Sequence, residues 1–175
     1  MKLSRITAAS LLAATLSVGL PVAGLARVTD ITIEVDGLSC PFCAYGLEKH
    51  LKTVANADPP VIDIQEATAT IRPIGDDPVD FEVLREAVKK AGFTPRKIRV
   101  KGIGRVETVE GQPTLVNEDG TSLFLLEAND VLAGLTPDQT DILEFTGIVL
   151  SRVQGEDASP LPTLALVAVT PRGEG

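Results

Sequence analysis

Ile31, Ile33 and Val35 alternate with Thr32, Glu34 and Asp36, the period of a strand that buries one face. After Gly37 the period changes. Ala44, Leu47, Leu51 and Val54 recur at helical spacing, and Pro41 stands where a first helical residue would, a position at which its missing N–H costs nothing. The pattern therefore predicts a strand and a helix joined by Gly37-Leu38-Ser39, with Cys40 as N-cap and Cys43 in the first turn. Val61 to Ile64, after Pro59-Pro60, reads as a second strand. Ala67, Ala69 and Ile71 alternate with Thr68, Thr70 and Arg72 as a third, with Gln65-Glu66 as the turn between them. A second helix opens near Asp77-Pro78, carries Phe81, Leu84, Val88 and Ala91 on one face, and ends at Gly92, a natural C′ residue. Ile98 and Val100 alternating with Lys97, Arg99 and Lys101 make a last strand, whose exposed cations suit a sheet edge.

Strand, helix, strand, strand, helix, strand over residues 27–101 is the ferredoxin-like βαββαβ order. Beyond it the runs shorten: Arg105 to Val109, Thr114 to Val116, Ser122 to Leu126, Thr146 to Val153 and Leu164 to Val169, separated by turn signals such as Glu118-Asp119-Gly120. Val131 to Leu135 and Thr136-Pro137-Asp138-Gln139 predict a short helical connection between the third and fourth of these. Five strands with an interposed helix fit a small all-β, OB-like barrel. The expected fold class is thus α+β, a ferredoxin-like domain over 27–101 followed by an accessory barrel domain over 102–175. Gly102, Gly104 and Gly111 read as linker and turn, since no helix pattern follows them as a phosphate loop would require.

Charge sharpens that division. Residues 27–101 carry eleven Lys/Arg and twelve Asp/Glu, and residues 102–175 carry three and twelve, a net of −9. An acidic barrel whose only aromatics are Phe124 and Phe145 is no nucleic-acid groove, which needs cations and stacking rings. At the N-terminus, Lys2 and Arg5, the apolar stretch Leu11 to Leu20 and the small-residue site Gly24-Leu25-Ala26 make residues 1–26 a secretory signal. Its apolar run is too short for a membrane span. The expected mature chain has a net charge of −10, is not embedded in a membrane, and is periplasmic or secreted.

The chemistry concentrates in Cys40 and Cys43, the only cysteines of the 175 residues. A spacing of three is a metal or redox spacing more often than a structural staple, because the loop it closes is too short to stabilise much. Thiols at i and i+3 of a helix start converge, and the positive helix end favours their thiolate forms. His50, the only histidine, lies seven residues beyond Cys43 and reads as a surface side chain. Asp76-Asp77 and Glu118-Asp119 sit at an expected cap and turn, and Ser39 has no base near it in sequence. No catalytic residues are expected, and no enzyme.

The stretch Gly37-Leu38-Ser39-Cys40-Pro41-Phe42-Cys43, between a strand and a helix, resembles the loop of the heavy-metal-associated domain family, which includes copper chaperones, domains of copper-transporting ATPases and the periplasmic mercuric-ion binding protein. That loop usually reads Gly-Met-x-Cys-x-x-Cys; Leu38 replaces the methionine, and Pro41-Phe42 stand where small or polar residues are commoner. The resemblance implies Cys40 and Cys43 as metal ligands, and Phe93 as the residue beside the metal loop. It also implies a metallochaperone-like carrier or scavenger, with a metal-transporting membrane protein as its partner. Two thiolates suit Cu(I) or Hg(II), and of these the resemblance implies Cu(I) first, while Zn(II) would need further ligands. The rival readings are a periplasmic thiol–disulfide redox protein using the same pair, and a structural or partner-binding role with the pair oxidised.

Overall fold

The alternating segment is strand β1 (Val28–Asp36) in the computed structural model, which describes residues 27–53, 56–75, 78–117, 120–135, 142–150 and 160–172. Ile31, Ile33 and Val35 are buried there, as the period requires. Helix α1 (Pro41–Leu51) follows, then β2 (Val61–Asp63), β3 (Thr68–Ile71), α2 (Phe81–Lys90) and β4 (Thr94–Val109). In the antiparallel order β2-β3-β1-β4, Ile31 lies opposite Ile71 and Val100, and Ile33 opposite Ala69 and Ile98, so one face is continuously apolar. Leu47 and Leu51 of α1 and Phe81, Leu84, Ala87 and Val88 of α2 join the same core. On the opposite face the carboxylates of Asp30, Glu34 and Asp36 pair with Arg72, Arg99 and Arg96, which makes it a solvated surface.

Local chemistry sets the ends of these elements. Asp63 Oδ1 accepts from the N–H groups of Gln65 and Glu66, closing the expected turn, while Ala67 takes a positive φ of 49° and the third strand starts one residue later, at Thr68. Helix α2 begins at Phe81 rather than near Pro78, because Asp80 is its N-cap, accepting from Glu82 N at 2.9 Å and Val83 N at 3.2 Å. Gly92, at φ 91°, ends it: Gly92 N–H bonds to Lys89 O and Phe93 N–H to Val88 O, the paired bonds of a Schellman motif. Asp80→Ala is expected to cost about 0.5–2 kcal/mol, the range for a lost N-cap, read as a lowered urea midpoint with an unchanged slope.

Strand β4 departs from the expectation most. It is not an edge: Thr94 to Gly102 pair with β1, while on the other side Ile98 to Gly104 pair with β7 (Leu143–Val149). Lys97, Arg99 and Lys101 therefore occupy the wet face of a central strand. Nor is there a linker at Gly102 and Gly104, which lie inside β4, so the boundary expected between 101 and 102 falls within one continuous strand. A Cβ on Gly102 would stand 2.4 Å from Arg27 O and 2.7 Å from the Phe145 ring, so these glycines mark close approaches. Only Gly111 is a turn residue. With Glu110 it supplies the two positive φ values, 79° and 51°, of a tight hairpin into β5 (Gln112–Val116).

The remaining strands, β6 (Ser122–Leu126) and β8 (Thr163–Pro171), complete a ring in the order β4-β5-β6-β8-β7 and back to β4. This is a closed five-strand barrel within a mixed α+β chain. The short α3 (Asp130–Ala133) lies between β6 and β7, where the helical connection was expected, and Asn129 Nδ2 ties it to Leu166 O of β8 at 2.9 Å. A single core runs through both halves. Phe81 of α2 packs, tilted, at 5.8 Å from Phe124 of β6, which meets Phe145 of β7 edge-on at 6.3 Å. Arg85 of α2 donates to Arg96 O and points at Val149 O of β7, 3.5 Å away. The expected signal (1–26), Val54, Asp76-Asp77, Glu118-Asp119, residues 136–139 and the end of the 146–153 run lie outside the described residues.

Candidate functional site

Three features of the chain place the two sulfurs. Gly37, at φ 90°, turns the backbone out of β1; Leu38 is buried and pins the loop to the core; and Cys40, extended at φ −142°, caps α1 with Pro41 as the first helical residue. Cys43 N–H donates to Cys40 Sγ at 3.1 Å. The Cα atoms are 5.2 Å apart and the two cysteines are joined as a disulfide. Cys43 packs against the core, whereas Cys40 is not among the residues that do. Sequence reasoning located both residues, their helix positions and their convergence.

Phe93 lies behind the loop, its ring edge 3.7 Å from where a Cβ on Gly37 would be, which is the place the family resemblance implied. The first residue after α2's glycine cap is thus aimed at the turn that presents the thiols. At the strand end, the hydrogen bond and charge of Asp36 raise the Arg96 guanidinium above its ordinary pKa and tie β4 to the base of the loop. On α2, a hydrogen bond from Lys89 and its charge lower the Glu86 carboxyl. Both side chains of that pair are exposed.

His50 is exposed in the last turn of α1, roughly 10 Å along the axis from Cys43 at 1.5 Å per residue. Its neighbours across a shallow hollow are Glu82, Val83 and Glu86, not the sulfurs. Among the described residues no three His, Cys, Asp or Glu side chains gather as a metal group. The sulfur pair is therefore a two-donor site. Ser39 is exposed beside it.

Two features were missed from the sequence. The exposure of the rings of Phe42, between the cysteines, and Tyr45, just after them, was not read, and the signal was available: they fall off the Ala44, Leu47, Leu51 stripe of α1. A cavity of about 480 Å³ also opens between α2 and the barrel, lined by Val79, Phe81, Leu123, Phe124, Val149 and Leu150 among others. It exists only because distant segments meet. Among the described residues, no helix is long and apolar enough to cross a membrane.

No protein-family model matches the chain, and no curated protein matches it. Among solved structures it is similar to the CopZ metallochaperone, with 16% identity over 39% of this chain and 100% of that one, at a TM-score of 0.36. It is similar to a copper binding domain from HMA7, a P-type ATPase, with 24% identity, 39% and 90% covered, and a TM-score of 0.34. The N-terminal domain of PacS from Synechocystis PCC6803 matches at 21% identity, 38% and 92% covered, with a TM-score of 0.33.

Proposed function

We propose that this chain is an exported, non-enzymatic carrier or scavenger of one soft metal ion, Cu(I) first, held by Cys40 and Cys43 in their dithiol form. The observation that carries the reading is the convergence of two sulfurs at the N-cap and first turn of one helix, where among the described residues no group of three His, Cys, Asp or Glu side chains gathers. Two thiolates satisfy a soft ion content with few ligands, whereas a four-coordinate Zn(II) site would stay half empty. Hg(II) shares the donor preference and is separated by competition. The N–H of Cys43 at Cys40 Sγ, and the helix start around both, favour negative sulfur.

The β-α-β-β-α-β order and the strand order β2-β3-β1-β4 support a ferredoxin-like reading of 27–101, with the loop at one end of the sheet. The OB-like barrel is the accessory part, and its acidity speaks against polyanionic partners. The export reading rests on residues 1–26, and a metal-transporting membrane protein is the receiver such a carrier would need. Titrating reduced mature chain with Cu(I) against a competing chelator is expected to end at one ion per chain; failure to hold an ion sinks the proposal. The disulfide favours one second reading, a thiol–disulfide redox protein. That reading expects no tight copper in the reduced chain, and mixed disulfides with partner proteins in one-cysteine variants.

A further inference from the structure

The protein has six aromatic rings, and four of them serve the fold: Phe81, Phe124 and Phe145 are buried and Phe93 is half-buried. Phe42 and Tyr45 do not, being 90% and 71% exposed. They are three residues apart in the first turns of α1 and so share a face, and Phe42 stands between the two cysteines. Rings of this size left in water beside a reactive group are suited to the centre of a contact, where aromatic side chains carry most of the affinity.

The group they flank says what the partner brings. A disulfide reacts with a thiolate, and a small thiol needs no apolar patch to reach it. We infer that Phe42 and Tyr45 form the docking patch for a protein dithiol, one whose reactive cysteine sits in an apolar surface, and that this partner reduces Cys40–Cys43. The inference rests on the soft-metal reading for its consequence, that the reduced pair is the form that takes the ion.

The exchange balances in two steps. Both cysteines are half-buried, and Cys43 is the one packed against the core, so the attack is assigned to Cys40 Sγ. The partner's thiolate attacks it, the Cys40–Cys43 bond breaks, and its electron pair goes to Cys43 Sγ, which takes up a proton. A mixed disulfide now joins Cys40 to the partner. The partner's second thiolate attacks its own sulfur in that bond, and Cys40 Sγ leaves with the electron pair and takes a proton. The pair has gained two electrons and two protons, and the partner's dithiol has become a disulfide.

The test compares the oxidised full-length mature chain with Phe42→Ser/Tyr45→Ser, both positions being too exposed to disturb folding. Reduction is followed with thioredoxin as the protein dithiol and with dithiothreitol as the small one. With thioredoxin the variant is expected to be reduced about tenfold more slowly, the scale of a lost pair of aromatic contacts, and with dithiothreitol at an unchanged rate. An unchanged thioredoxin rate overturns the inference. So does an equal loss with both reductants, which would place the effect in the disulfide itself. Concentration-dependent dimerisation lost in the variant, with thioredoxin unaffected, would assign the patch to a second copy of the chain. Cu(I) titration of the chemically reduced mature chain, with both rings in place, stands apart from these outcomes: one ion per chain keeps the metal reading whatever the exchange shows, and none counts against that reading alone.

Discussion

Replacing Cys40 and Cys43 together by serine is expected to abolish Cu(I) binding by the reduced chain while leaving it folded. Serine hydroxyls are hard donors that stay protonated near neutral pH, so both bonds to a soft ion are lost at once. Cys40→Ser alone or Cys43→Ser alone should leave weak, easily displaced binding, because one thiolate cannot chelate. The fold survives for reasons that can be named. Serine is a good N-cap, so the hydroxyl at position 40 still accepts the N–H of residue 43 that Cys40 Sγ accepts now. The disulfide closes too short a loop to stabilise much, and the apolar faces of Ile31, Ile33, Leu47, Leu51 and Leu84 make no use of the sulfurs. A competition titration with circular dichroism on the same samples checks both halves. Retained stoichiometric copper in the double variant would remove the site from Cys40 and Cys43, and an unfolded variant would make the pair structural.

The place of the two cysteines was legible because its determinants are local. Cap, proline at the first helical position, cysteine spacing and helix phase lie within a few residues, and each has a short-range physical cause. The same holds for Gly92, whose left-handed φ follows from its place just after Ala91, the C-cap of α2. What local pattern could not show was which strands lie beside β4. Lys97, Arg99 and Lys101 specify a wet face and leave open whether both edges are paired; β7, some forty residues away, settles that. One signal was readable. The two-residue step of Ile98 and Val100 runs on to Gly102 and Gly104, and the structure buries both, so the two residues read as a linker are the strand's own inward positions.

The shared strand and core lead to the second large effect. Phe124→Ala is expected to destabilise the whole described unit, 27–101 as well as the barrel, by about 3–5 kcal/mol, the range for emptying a buried Phe site. Phe124 heads the fully buried side chains by volume, and it stands between Phe81 of α2 and Phe145 of β7, so its loss opens a void touching both halves. Against a total of about 5–15 kcal/mol for a domain, that loss is a large fraction. Because β4 belongs to both the sheet with β1 and the barrel, neither half can unfold without stripping pairs from the other's central strand. Urea titrations followed through the backbone amide signals of Leu47 and Leu164 report the two halves separately. Both should lose their native signal at one midpoint, and the substitution should lower both together. If Leu164 alone shifts while Leu47 keeps its original midpoint, the halves are independent and the charge boundary near residue 101 is a thermodynamic one as well.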